Sequence, residues 1–431
     1  MNNNKKRQGR RYSYILHQIW NERRSNWAMM AELLIVSCVV WYLVDCAYVI
    51  VTRAMEPLGF DATNCYRLDV SKFDKSSVGY DTAHPDSTEI NIADFLALTD
   101  RLRHDADIEA VGYSWCNDPY QGMMFSTNIH YDTLDTSARM VICNPDFLKV
   151  FRYRGANGET PGQLAAMLKN GNVLLSHQAF GKEHDTNKMI GKEMKVGISF
   201  GSNDTLPRRI AATFMPVKRF SREEITKQKS FILPATNEAM HQMIYSISLA
   251  IRVKENCAPG FPDRFRQKIS SKQLRVGNYY VNGFHSYGEL KRNSEAKQDT
   301  NMRYYTVAIV FLLVNVFLGL LGTFWLRTQH RFPEIGLQKA IGATNTDITL
   351  RLLTEAILMM TIAFLPSLII DFNIAHANLT EYYQGETLAT GRFIICAAIS
   401  YVLMLLIIAL GIWFPALRAT KANPADVLRG E

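Results

Sequence analysis

The chain has 431 residues with a formal net charge of +8 and 48% hydrophobic residues, long enough for more than one domain. The hydrophobic fraction is ordinary as an average, but the apolar residues are clustered into long runs. The basic excess sits in the flanks of those runs, so it marks membrane topology and excludes a nucleic-acid footprint.

In chain order, the segment 1–26 contains YSYILHQIWNERR, with Tyr12, Ile15, Leu16, Ile19 and Trp20 at helical spacing and basic residues on the remaining face. Such a stripe suits a helix lying in the cytoplasmic membrane interface or packing against a partner. The first span, 27–52, holds LLIVSCVVWYLVDCAYVIV. It is too long for the apolar core of a signal peptide and no small-x-small site follows it, so it reads as an uncleaved anchor.

From 53 to 302 the long apolar runs stop and a mixed α/β pattern begins. IADFLALTDRLRHDADIEAVGYSW reads as a helix feeding a strand, and SISLAIRVKE, FPDRFRQKISS and LRVGNYYVNGFHS read as strand, helix, strand. Between them, Gly and Pro punctuate short strand-like runs, which predicts a second lobe at about 144–219.

Three more spans follow, at 303–327, 349–371 and 392–414. Each is near the roughly 20 apolar residues that a bilayer-crossing helix needs. Lys and Arg crowd the segment before the first span, the loop 328–348 and the tail 415–431, while the loop 372–391 has none. Both termini and the 328–348 loop are therefore expected on the cytoplasmic side, and the 53–302 domain outside.

An enzyme reading finds little support. There is no G-x-x-x-x-G-K-[ST], no H-E-x-x-H, no G-x-S-x-G and no C-x-x-C in the chain. The ten histidines and seven cysteines show no spacing that suggests a metal site or a disulfide framework. No metal ligand and no catalytic residue are assigned.

Polar residues in the spans carry more information, because charge at mid-bilayer is costly. Asp45 shares a helical face with Trp41 and Tyr48 and reads as a hydrogen-bonding tie between helices. Glu32 and Glu355 lie near cytoplasmic ends, where snorkelling is cheap. Asn315, Gly319 and Gly322 share one face of the second span, which suits close packing with an amide tie; Pro366 predicts a kink in the third.

The loop RFPEIGLQKAIGATNTDITLR between the second and third spans reads as a short helix. Pro333 fits a first turn and Glu334 complements the dipole there. Leu337, Ala340 and Ile341 form an apolar stripe, and Gly342 ends the helix. Asn345 or Thr346 is the expected cap of the next one, with Asp347 in its first turn. Such an element either lies on lipid or docks a cytoplasmic partner.

The same loop resembles the hallmark of the FtsX/MacB-type ABC transporter permeases, through Arg331, Glu334, Ile335, Gly336, Leu337, Lys339, Ala340, Ile341, Gly342, Ala343 and Thr344. The ending PALRATKANPADVLRGE is similar to that family's, and NPDFLKVF, VLLSHQAFGK, IGKEMKVG and RRIAATF resemble the core of the MacB-type outer domain. The resemblance implies an α-helical membrane protein with four transmembrane helices and a two-lobed α/β extracytoplasmic domain, the Porter-like lobe flanking a Sabre-like one.

It further implies that the loop helix contacts a separate ABC ATPase subunit, which would bind ATP and Mg. A second permease copy, identical or not, completes the pair in the inner membrane. ATP-driven closure would then reshape the outer domain by mechanotransmission. The expected outcome is export of peptides, drugs or lipoproteins, with a periplasmic adaptor and an outer-membrane channel as further partners. The alternative is an FtsX-like regulatory scaffold that activates a cell-wall hydrolase or signals to a sensor kinase.

Overall fold

The computed structural model describes residues 23–421 apart from 116, 182, 198–204 and 381–385. The expected interfacial helix of the N-terminal segment and the last ten residues of the tail motif lie outside the described residues. The chain divides into two units, Arg53–Thr300 and Met1–Thr52 with Asn301–Glu431.

The first helix, α1 (Arg23–Met55), contains the first span, Trp27–Met55. The domain that follows is built from β1 (Cys65–Lys72), α2 (Thr88–Arg103), β2 (Ile108–Trp115), β3 (Ser126–Tyr131), β4 (Leu134–Cys143), α3 (Pro145–Val150), α4 (Pro161–Met167) and β5 (Asn172–Ser176). It continues with β6 (Glu193–Gly197), β7 (Thr205–Phe214), β8 (Ser230–Pro234), α5 (Asn237–Met243), β9 (Ile247–Val253), α6 (Phe261–Ser270), β10 (Arg275–Val276) and β11 (Tyr279–Ser286).

The strands form one sheet in the order β10-β11-β1-β9-β2-β4-β3-β6-β7-β5-β8. Its first half, β11-β1-β9-β2, is antiparallel throughout. The chain enters it as β1-α2-β2 and returns as β9-α6-β11, the split β-α-β arrangement of ferredoxin-like sheets. Phe95, Leu98 and Leu102 of α2 and Phe261 and Phe265 of α6 bury their apolar stripes on Ile251 and Val253 of β9. Ser87 starts α2 by accepting a hydrogen bond from the Ile90 amide at 3.3 Å.

The second half closes on itself. β8 pairs with β5 on one side and returns to β4 in parallel on the other, so β4, β3, β6, β7, β5 and β8 form a ring. Ile129, Val173, Leu175, Val196, Ile210 and Phe231 fill a core on these strands. The second lobe therefore reaches from β3 to β8 rather than over the expected 144–219. Closure recruits the β3–β4 hairpin, whose turn places Asp132 at φ 54, and it also recruits β8, which no short-range pattern ties to the lobe.

The two halves meet at a narrow seam, where β2 and β4 share the pair Ser114 and Cys143. Asn144 extends the seam with its side chain: Oδ1 accepts from the Tyr113 amide at 2.8 Å and Nδ2 donates to the Val111 carbonyl at 3.3 Å. At the opposite edge, Arg101 of α2 donates to the carbonyls of Gln273 at 3.0 Å and Arg275 at 2.6 Å beside β10. Helix α3 lies so close to β2 that a Cβ on Gly112 would meet the Phe147 Cα at 2.6 Å.

Helix α7 (Tyr287–His330) starts with a buried side chain: the Tyr287 hydroxyl donates to Asp118 Oδ2 at 2.8 Å. Burial pushes the Asp118 carboxyl up from its ordinary value, opposed by the Tyr287 hydrogen bond, and burial likewise pushes up the Tyr287 phenol. The second span, Asp299–Thr323, lies on this helix. Then come α8 (Phe332–Ala340), α9 (Asn345–His376) with the third span, and α10 (Thr390–Lys421) with the fourth span, Thr390–Trp413. α9 continues as a helix through Pro366.

In the membrane unit the packed core is made by α1, α9 and α10, with Leu33 and Val40 meeting Met359, Met360 and Ala363, and Met404 and Ile408. The second span adds Leu320 to this core, and most of its surface is exposed. Asn315, Gly319 and Gly322 are on the exposed side, and Asn315 Nδ2 donates to the Phe311 carbonyl of its own helix at 2.7 Å. Among the described residues the expected amide tie between helices is therefore not made, because the span packs through its Leu320 side.

Two outcomes test this architecture. Gly112→Ala should destabilise the domain by about 1–3 kcal/mol, since the new methyl meets backbone that cannot rotate away; thermal melting of the purified chain measures it. Because the folded Asp118 pKa is raised, the acid stabilises below the usual carboxylate range and loses that contribution as pH rises through its folded value. The stability advantage of Asp118→Asn over wild type should therefore grow as pH rises from about 4, read from melting curves across that range.

Candidate functional site in the loop between the second and third spans

Helix α8 forms where the local chemistry directs. Pro333 occupies its first turn, Glu334 sits at its positive end, and Gly342 follows the C-cap residue Ile341 with φ +101. The Cβ position of Gly342 is open, so the left-handed backbone alone calls for glycine there. The Ala343 amide donates back to the Gln338 carbonyl at 3.0 Å, closing the turn.

The next helix is capped one residue before the expected Asn345 or Thr346. Thr344 Oγ1 accepts from the Asp347 amide at 3.2 Å, and Asp347 Oδ2 accepts from the Thr344 amide at 3.3 Å. This reciprocal pair satisfies two amides at once, which neither Asn345 nor Thr346 does.

Two charge pairs fasten α8 to α9. Arg331, at the start of α8, donates to Glu355 Oε2 at 2.5 Å, and Glu355 is 3% exposed. Glu355 is thus enclosed by protein, where sequence position suggested a side chain snorkelling to the interface: the guanidinium's opposite charge and N–H donor replace the solvation that water would provide. Glu334 Oε1 accepts from Arg351 at 3.1 Å and from Gln338 at 3.2 Å. Between these pairs, Ile335 and Ile348 bury against each other with Ala343 and Leu352 around them.

The opposite side of α8 is bare. Leu337 is 53% exposed and Ile341 is 79% exposed, one helical turn apart. The apolar stripe expected from Leu337, Ala340 and Ile341 thus points away from the chain at its two described side chains. Gly336 is buried and Lys339 half-buried, so the hallmark residues divide into a clamped side and an offered side.

Asp45 stands apart from this loop. It is buried and faces Arg392 at the start of α10: Nε donates to Oδ1 at 2.7 Å and Nη2 donates to Oδ2. Cys396 Sγ lies 3.7 Å from the same carboxylate. The expected interhelical tie is thus ionic and two-pronged. Its partner was visible as the first residue of the fourth span, immediately after a loop without Lys or Arg. Glu32 makes a further link, accepting from Thr323 Oγ1 of α7 at 2.9 Å. Among the described residues no group of three or more His, Cys, Asp or Glu could hold a metal ion.

Residues 306–424 match the family model described as FtsX-like permease C-terminal, which includes α8 with both of its clamps. Over this region the chain is similar to the FtsX-like permeases. The macrolide export ATP-binding/permease protein MacB of two Campylobacter jejuni subsp. jejuni strains is 30% identical over 139 residues, 31% of this chain and 20% of the relative. The match thus spans about a fifth of those curated relatives' length.

Among solved structures, the periplasmic region of MacB from Actinobacillus actinomycetemcomitans aligns at 12% identity over 56% of this chain and 97% of that one, with a TM-score of 0.31. The extracellular domain of the noncanonic ABC-type transporter YknZ from Gram-positive bacteria aligns at 14% identity over 50% and 100%, with a TM-score of 0.28.

Asp45→Asn and Asp45→Leu should each cost about 3–5 kcal/mol, because either leaves the Arg392 guanidinium buried without its counter-charge. Combining Asp45→Leu with Arg392→Leu should recover most of the loss. Melting of the detergent-solubilised variants checks both, and equal damage in the double variant would remove the ion pair as the cause.

Proposed function

We propose that this chain is the permease subunit of an ABC-type transporter and that α8 is the docking element for a separate ATPase subunit, which binds ATP and Mg. The observation that carries the reading is the two-sided character of α8. Its Arg331 and Glu334 side is fixed to α9 by ion pairs, while Leu337 and Ile341 are left bare at neighbouring positions on a helix. A short helix held this firmly passes displacement on to the span it is clamped to, and an exposed apolar pair is what a partner groove buries.

The Lys and Arg distribution supports an inner-membrane chain with both termini and α8 on the cytoplasmic side and the domain Arg53–Thr300 outside. The function is then mechanotransmission: closure of paired ATPases moves α8 and α9, and two permease copies reshape their outer domains. Export of a peptide, drug or lipoprotein, assisted by an adaptor and an outer-membrane channel, is the output that this reading assigns.

Leu337→Asp and Ile341→Asp should leave insertion and melting temperature unchanged and weaken ATPase association at least about tenfold, since a carboxylate cannot enter an apolar groove unpaired. Co-purification of the ATPase with each variant, together with ATPase stimulation, measures this. Unchanged association in both variants would end the docking assignment. Recovery of a cell-wall hydrolase or sensor kinase in place of an adaptor and channel would replace export with a regulatory role.

A further inference from the structure

The domain Arg53–Thr300 contains a cavity of about 680 Å³ at the seam between its two halves, within the size range of small-molecule sites. Its walls are apolar: Trp115 of β2, Phe125, Met140 and Ile142 of β4, Val196 of β6 and Leu233 of β8. Trp115 and Phe125 stack with ring centroids 4.4 Å apart, giving one wall a flat aromatic surface. At the mouth, Met124 and Leu206 are 49% and 44% exposed, apolar area that folding has left uncovered.

The polar atoms on this wall are unequally committed. Trp115 Nε1 is buried without a hydrogen-bond partner among the described residues. Arg208 of β7 lines the cavity half-buried, and among the described residues its guanidinium makes no ion pair or hydrogen bond. The acidic lining residue, Glu238, is exposed to water on the first turn of α5, where the helix dipole favours its charge. Arg208 thus brings a full positive charge to an otherwise largely apolar wall, and Trp115 adds a buried neutral donor. A guanidinium at the border of an apolar wall favours a ligand that pairs an anionic group with an apolar body.

We propose that this cavity binds a small amphipathic carboxylate, its apolar body against Trp115, Phe125, Met140 and Leu233 and its carboxylate on Arg208. As a ligand site the cavity stands independently of the ATPase; as a cargo site it rests on the export reading above.

The test is equilibrium dialysis of the full chain in lipid nanodiscs against labelled decanoate and, separately, 1-decanol, with empty nanodiscs subtracted. Wild type should bind decanoate saturably at one site and 1-decanol more weakly. Arg208→Gln should weaken decanoate about tenfold and leave 1-decanol unchanged, which also shows that the variant is folded. Ala239→Trp, which fills the cavity from α5, should remove both. Absence of saturable decanoate binding by wild type would overturn the proposal. So would decanoate binding by Arg208→Gln equal to wild type, or binding that survives in a folded Ala239→Trp. Saturable binding in a chain whose ATPase partner never responds to decanoate would uphold the cavity and count against export.

Discussion

A charge withdrawn from water has to meet its opposite, and the membrane unit is organised around that requirement. Lipid tails are as apolar as leucine, so burial of apolar side chains alone does little to choose which helices touch. Asp45 and Arg392 make that choice for α1 and α10. Arg331 and Glu355 make it for α8 and α9, and Glu334 with Arg351 fixes the direction in which α8 lies. The methionine-rich core of Met359, Met360 and Met404 fills the space between helices that these pairs have already brought together.

The domain between the first two spans follows a different logic, in which a second structure is inserted into a first. The split β-α-β half needs β2 and β9 as neighbours, yet some 130 residues intervene between them. The insertion is tolerable because the ring of β3 to β8 satisfies its own hydrogen bonds and has its own core. It joins the host through the pair Ser114 and Cys143, the amide of Asn144, and a shared core in which Leu174, Phe214 and Ile232 pack with Cys65, Phe147 and Ala250. The seam between the two halves, on the side away from that shared core, is where the cavity lined by Trp115 and Leu233 lies.

What was legible in the sequence was whatever is written locally. The spans, the α8 helix with Pro333 at its start and Gly342 at its end, and the strand-helix-strand units all follow from periodicity and capping chemistry within a few residues. Long-range partners were not legible. Arg392 could be seen, but nothing in its neighbourhood points to Asp45, 347 residues away. Likewise, β8 carries no mark that it will close a ring on β4, and Leu337 shares its stripe with no residue that says whether the stripe faces inward or out. Composition gives a residue's appetite for burial, whereas only tertiary placement decides which appetite is met.

The edges of the large sheet have a further consequence. Among the described residues the ring closes on itself, the Asn144 amide takes the Tyr113 amide and the Val111 carbonyl of β2, and Arg101 takes the Arg275 carbonyl of β10 and the Gln273 carbonyl before it. Open edges invite extended polypeptides to add a strand, whatever their sequence. Where the edges are answered in this way, a passing unfolded chain has no strand to add to. Along those stretches anything it recognises is told apart by side chains, which is the form of recognition in which selectivity can be built.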